Sequence, residues 1–221
     1  MVTVLGINAF HADASAALIE DGKIICAAEE ERFTRIKHAA GFPTSAIKWC
    51  LEYSSKSIKH IDHIAINSSS KSNFNSKIIF TLLNRPNLKF ILDKVVTKRK
   101  KSNLEFYFKE FLNEYNLNSK FHYLDHHLCH LASAYYCSPF KNSSLLSVDG
   151  FGDFASTSWG IGNDNFISKS GQVLFPHSLG IFYTAVTQYL GFSNYGDEYK
   201  VMGLAPYGKP RYLHLMRKIL K

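Results

Sequence analysis

His126 and His130 stand four residues apart at the head of a segment that continues as the apolar run 131–136 and then as Leu145-Leu146-Ser147-Val148-Asp149-Gly150. Side chains at i and i+4 lie one above the other on a helix, so both imidazoles face one way. Imidazole nitrogen suits iron and zinc, and such a pair offers two ligands to one ion. A zinc-protease helix needs glutamate directly after its first histidine; His127 stands there and disfavours that class. A histidine pair on a helix is also an ordinary structural feature, and Asp149 tips the balance toward a metal. A carboxylate ending an apolar strand is held rigidly while its oxygen faces a cation. Gly150, Gly152 and Gly160 follow, and bare backbone at such positions lets amides approach a phosphate.

These groups need elements to hold them. Residues 2–8 read as a buried strand, and after the polar break 8–13 a second strand covers 14–20. Asp21-Gly22 is a two-residue turn, because both types tolerate positive φ, and 23–29 is the third strand. A later hairpin is expected from strands 154–161 and 165–169 joined by Gly162-Asn163-Asp164. Two hairpins of this kind facing one ligand resemble the actin-like superfamily of ATP-binding folds. The expected fold is therefore mixed α/β and actin-like, comprising a first lobe and the start of a second.

Between the hairpins, 29–38 packs three acids and then several cations. It reads either as a helix whose charges pair through solvent, or as Arg32, Arg35 or Lys37 facing an anionic ligand. Phe42-Pro43-Thr44 opens a helix with the stripe Ala46, Ile47, Cys50, Leu51. A short strand is expected at 61–66, then a polar loop over 68–73. Helical pattern from Lys77 breaks at Arg85-Pro86, resumes at Leu88, Ile91, Leu92, Val95 and Val96, and returns over 104–115 with Phe108, Phe111 and Leu112 inward. We treat 71–118 as an insertion over the core. Residues 122–125 read as a strand feeding the histidine helix. His177-Ser178-Leu179-Gly180 opens a helix whose N-terminus is a ready anion site. A glycine-rich run, 203–208, follows Lys200.

The bulk properties set limits. A chain of 221 residues, 46% apolar, can bury a full core. No stretch approaches the roughly 18 apolar residues of a membrane span, and no signal-peptide pattern opens the chain. The net charge of +8 is local: residues 71–109 hold ten Lys/Arg against two acids, and the remainder balances. That patch lacks the interleaved aromatics of single-strand binders, so nucleic acid is not the expected partner. Cys26, Cys50, Cys129 and Cys137 form no CxxC and read as reduced core thiols of a cytoplasmic protein.

The motifs 10–18 (Phe10-His11-Ala12-Asp13 onward), 28–38 (Ala28 to His38), 126–134 (His126 to Ala134), Val148-Asp149-Gly150, Ser178-Leu179-Gly180 and 200–205 (Lys200-Val201-Met202-Gly203-Leu204-Ala205) resemble, in this order, the O-carbamoyltransferases of antibiotic and nodulation-factor biosynthesis. The resemblance covers nearly the whole chain outside 71–118. It implies a two-step reaction: carbamoyl-adenylate is made from carbamoyl phosphate and ATP, and the carbamoyl group then passes to a hydroxyl of a sugar or natural product. It implies Fe(II), or another divalent metal, held by His126, His130 and Asp149, with Asp149 also near the adenylate. Lys37 and Gly180 match adenylate-binding positions, and Gly150, Gly152, Lys200 and Gly203 join them on the nucleotide side. Phe10 and Leu179 fall on the acceptor side, and His11 or Asp13 would take the acceptor's proton.

Members of that family are much longer. Their adenylate-forming domain and a further metal carboxylate fall beyond the position of Lys221, so the resemblance implies a fragment, inactive alone, or one served by a companion chain. Two other readings stand beside it: a tRNA threonylcarbamoyltransferase-type subunit, and a catalytically dead binding or scaffolding module.

Overall fold

The structure, a computed structural model, describes residues 1–84, 104–112 and 118–220. Strand β1 (Thr3–Asn8) alternates as its sequence does, with Thr3, Leu5 and Ile7 buried. It pairs antiparallel with β2 (Ser15–Glu20), which pairs antiparallel with β3 (Lys23–Glu29). The β2–β3 turn has Asp21 at φ 44° and Gly22 at φ 80°, the positive pair that a tight hairpin needs. On its other side β1 pairs in parallel with β4 (His63–Ile66), and β4 in parallel with β5 (Lys120–Tyr123). The sheet order is β3-β2-β1-β4-β5.

Helix α1 is only Glu31–Thr34, and α2 (Thr44–Tyr53) packs on β2 and β3. Ala46, Ile47 and Cys50 of α2 are fully buried among Leu5, Leu18, Ile64 and Phe108. Burying one such isoleucine contributes about 1.5–3 kcal/mol. The expected helix over 29–38 is corrected: Arg35 and His38 adopt left-handed φ of 59° and 55°, which ends it after one turn. Its charges are also not all solvated. Glu30 is buried, and its carboxylate accepts from the amides of Ser45 (3.1 Å) and Ala46 (2.9 Å), capping α2 from a distant segment. An anion at a helix start satisfies orphan donors and complements the dipole.

Helix α3 (Phe74–Asn84) and α4 (Leu104–Leu112) follow, with Leu104 and Phe108 in the core. The Arg85-Pro86 break, the helix over 88–96, the Lys98–Lys101 cluster and the end of the helix at 115 lie outside the described residues, as do the side chains of Phe111 and Leu112.

Helix α5 (His126–Tyr136) begins where expected, but the strand before it is β5 at Lys120–Tyr123, two residues earlier than the expected 122–125. Asp125 leaves that strand and becomes the N-cap, accepting from Leu128 N at 3.0 Å. A second sheet, β6 (Asn142–Gly152), β7 (Ala155–Asn163) and β8 (Phe166–Leu174), is a meander of antiparallel strands on which α5 packs through Leu131 and Tyr135. Then come α6 (Leu179–Tyr189), α7 (Glu198–Leu204) and α8 (Leu213–Ile219). Two expectations change here. The β7–β8 turn centres on Asp164, later than placed, and it lies at the end of the sheet away from Asp149. Gly160 sits within β7, where a Cβ would meet the Ser168 carbonyl oxygen at 2.3 Å, so its bare backbone serves strand pairing and not a phosphate. The cysteines also divide: Cys26 and Cys50 are core, Cys129 is half-buried and Cys137 is exposed, all as free thiols.

Candidate metal centre

The turn after β1 and the β6–β7 turn meet at the first residue of α5. His126 Nε2 lies 2.9 Å from Asp149 Oδ2 and 3.0 Å from His130 Nε2, and His130 Nε2 lies 3.7 Å from the same carboxylate oxygen. For ligands about 2.1 Å from an ion, right-angled coordination puts neighbouring donor atoms about 3.0 Å apart and tetrahedral coordination about 3.4 Å. The observed set straddles those spacings. Two imidazole nitrogens and a carboxylate oxygen on one side of an ion are the donor set of non-haem Fe(II) sites with open positions. Side-chain exposure rises from 12% at His126 through 36% at Asp149 to 50% at His130, so the open side faces solvent past His130. The residues fit a divalent transition metal.

Electrostatics point the same way. Two imidazole nitrogens facing each other at 3.0 Å repel unless a cation or a proton lies between them. Burial disfavours a charged His126, yet the hydrogen bond and charge of Asp149 more than offset it and raise the His126 pKa above the ordinary value. Asp149, bonded to His126 and His130, is held far below the usual carboxylate range. The site thus stabilises positive charge in metal-free protein, by the same contacts a metal would take over. The His126 ring is fixed on its other side by the Asn67 carbonyl, 3.3 Å from Nδ1, which leaves Nε2 for the ion.

His127 has a different task. It is 1% exposed, with Nδ1 2.8 Å from Ser147 Oγ and Nε2 3.0 Å from the Ala155 carbonyl, and burial lowers its pKa. It is a neutral core histidine joining α5 to the second sheet.

The pattern of this chain matches the family model described as carbamoyltransferase N-terminus over residues 3–221. The chain belongs to that family. The chain is 39% identical over 98% of its length to an uncharacterised protein of Synechocystis, covering 36% of that protein. It is 36% identical over 92% of its length to nodulation protein NolNO of Sinorhizobium fredii, covering 29% of it. The chain therefore spans about a third of the length of the curated relatives it matches. The solved structure of YeaZ from Pseudomonas aeruginosa aligns over 80% of this chain and 68% of that one, at 12% identity and a TM-score of 0.45, too loose to decide a fold.

The remaining predicted site residues fall into three groups. His11 stands beside the group His126, His130 and Asp149, its ring centroid 5.9 Å from that of His126. Asp13 does not: its carboxylate is 2.8 Å from His38 Nδ1, while Glu31 accepts from the His38 amide at 3.0 Å. These three form a second group whose ligand-type atoms lie within 4.8 Å of one another. The rings of His38 and Tyr195 meet edge to face with centroids 5.1 Å apart, and Lys37 stands over the Tyr199 ring at 5.3 Å. Phe10, at φ 62°, packs on Tyr107.

The glycines and the C-terminal segment complete the inventory. Gly150 donates its amide to Asp149 Oδ1 at 2.6 Å. A Cβ at Gly180 would meet the Asp149 carbonyl oxygen at 2.5 Å, and Ser178 donates to the Gly150 carbonyl at 2.8 Å, so α6 is seated directly against the part of β6 that carries Asp149. Leu179, the first residue of α6, is exposed. Lys200 and Gly203 lie on the exposed helix α7, not in a glycine-rich loop; Lys200 is paired with Asp197 at 2.6 Å. Sequence reading passed over Asn67, Asp153 and Tyr195. Only Asp153 carried a signal, as the acid of a Gly-Asp pair between two strands.

Proposed function

We propose that this chain carries the acceptor-side half of an O-carbamoyl transfer site, in which a divalent metal, Fe(II) by its donor set, is held by His126, His130 and Asp149. The carrying observation is the convergence of those three side chains at 2.9, 3.0 and 3.7 Å where the two turns meet. When bound, the metal would polarise the carbonyl under attack and offset charge on the departing phosphate. The chain's own residues do the rest. The acceptor hydroxyl oxygen bonds to the carbamoyl carbon of carbamoyl-adenylate, and the bond from that carbon to the AMP phosphate oxygen breaks. The hydroxyl proton passes to His11, which faces His126, whereas Asp13 is engaged by His38. Lys37, exposed beside the Tyr199 ring, would meet the AMP phosphate.

The order β3-β2-β1-β4-β5, with antiparallel pairing on one side of β1 and parallel on the other, supports the actin-like reading of this lobe. The donor making carbamoyl-adenylate from carbamoyl phosphate and ATP, and the acceptor, a sugar or antibiotic-like alcohol, are part of the same proposal. Parallel titrations with Fe(II) under anaerobic conditions and with AMP test it. Wild type is expected to bind both and His126→Ala neither. Unchanged binding by the variant would leave only a scaffold.

A further inference from the structure

The residues around His126 do more than ligate, and the turn between β6 and β7 has no part in the chemistry above. Asp153 sits in that turn at φ 50°, a left-handed conformation that aspartate adopts more readily than most residues. Its Oδ2 accepts from the His126 backbone amide at 3.1 Å and from the Ser69 amide at 2.8 Å. Its Oδ1 accepts from Ser68 Oγ at 3.2 Å, and its carbonyl from Asn73 Nδ2 at 3.0 Å. One carboxylate therefore ties the first residue of α5 to the loop after β4 and to the second sheet. That loop also supplies the Asn67 carbonyl that fixes the His126 ring. Next to it, Gly152 lies so close that a Cβ there would overlap the His126 imidazole.

Asp153 is not itself a ligand. Both its oxygens are taken by protein donors, and it stands outside the group His126, His130 and Asp149. We propose that Asp153 is a positioning residue, which clamps the backbone of His126 and the 67–69 loop so that the imidazole is presented to the metal in one orientation. The inference rests on the metal reading of His126. It explains why the polar loop 68–73 is drawn against the site: Ser68 and Ser69 hold the clamp from the first sheet, and His126 completes it from α5.

A helix cap alone would give a different result, and α5 provides the comparison. Asp125 caps the same helix through Leu128 N without touching the His126 amide or ring. Outer residues that orient a metal-ligating histidine typically change affinity about 10–100-fold. Fe(II) would be titrated anaerobically into the full chain as wild type, Asp153→Asn, Ser68→Ala and Asp125→Ala. The expected result is about tenfold weaker binding at unchanged stoichiometry for Asp153→Asn, about threefold weaker for Ser68→Ala, and less than twofold change for Asp125→Ala. Wild-type affinity in Asp153→Asn, or an equal loss in Asp125→Ala, would overturn the proposal.

The metal-free protein supplies a second readout. Imidazole nitrogen shifts of His126 should move in Ser68→Ala and Asp153→Asn and stay in place in Asp125→Ala. If wild type binds no Fe(II), the metal reading fails, and the shifts alone then decide whether Asp153 positions the ring. Should Asp153→Asn not fold, Ser68→Ala carries both measurements, and unchanged affinity with unchanged shifts in that variant would defeat the clamp.

Discussion

Replacing Gly152 by alanine would place a methyl carbon 1.9 Å from His126 Cδ2, 2.2 Å from Cγ and 2.5 Å from Nε2. Real Cβ atoms essentially never come within 3.0 Å of another heavy atom, so the ring must retreat by about 1 Å or more. Metal–ligand distances tolerate only about 0.2 Å. The ring also leaves its 2.9 Å contact with Asp149, which removes the geometry shared by two of the three ligands. We expect Fe(II) to bind about 100-fold more weakly to Gly152→Ala. The fold should lose only about 1–3 kcal/mol, the usual cost of one extra methyl in a tight site. Anaerobic titration with a colorimetric chelator as competitor gives the affinity, and urea unfolding followed by circular dichroism gives the stability. An alanine variant that binds Fe(II) as wild type does would refute the placement of His126 as a ligand.

Other consequences follow from the same contacts. Glu30→Ala removes the carboxylate that caps α2 and leaves a buried and a half-buried amide without that partner, so it should destabilise by about 2 kcal/mol in urea melts while metal affinity holds. His127→Ala should cost about 3 kcal/mol, because Ser147 and the Ala155 carbonyl lose buried partners, yet leave the metal stoichiometry unchanged, the reverse of His130→Ala. Burial alone would raise the Asp125 pKa, but the Leu128 amide and the Lys169 ammonium hold it below the ordinary carboxylate value. Its stabilisation, about 1 kcal/mol as a helix cap, is therefore present above about pH 4. It is lost as pH falls through the lowered folded value, so Asp125→Ala and wild type should converge in acid and separate near neutrality. A maleimide should label Cys137 in native protein and Cys50 only after unfolding, since burial and the neighbouring Cys26 push the Cys50 thiol up to about 12.

The local parts of this architecture were legible in the chain itself. Alternation and an Asp-Gly turn placed β1, β2 and β3 because each signal acts within a few residues. The i, i+4 spacing and the carboxylate after an apolar run point to His126, His130 and Asp149 for the same reason, although β6 runs on past Asp149 to Gly152. What escaped depends on partners far along the chain. Glu30 looks like one acid in a solvated run until its amide partners, 15 and 16 residues away, are seen. Asp153 reaches 27 residues back to His126 and 84 back to Ser69. Gly152 and Gly160 both suggest phosphate contacts, because a bare backbone signals close approach without saying what approaches. In the fold the neighbours are the His126 ring and the Ser168 carbonyl.

His126, His130 and Asp149 are proposed to hold one divalent metal at the meeting point of the two turns. Crystals grown anaerobically with Fe(II), measured on either side of the iron absorption edge, test it most directly. The account predicts a single anomalous peak within bonding distance of His126 Nε2, His130 Nε2 and Asp149 Oδ2. No peak there, or a peak at the Asp13, Glu31 and His38 cluster in its place, would contradict it.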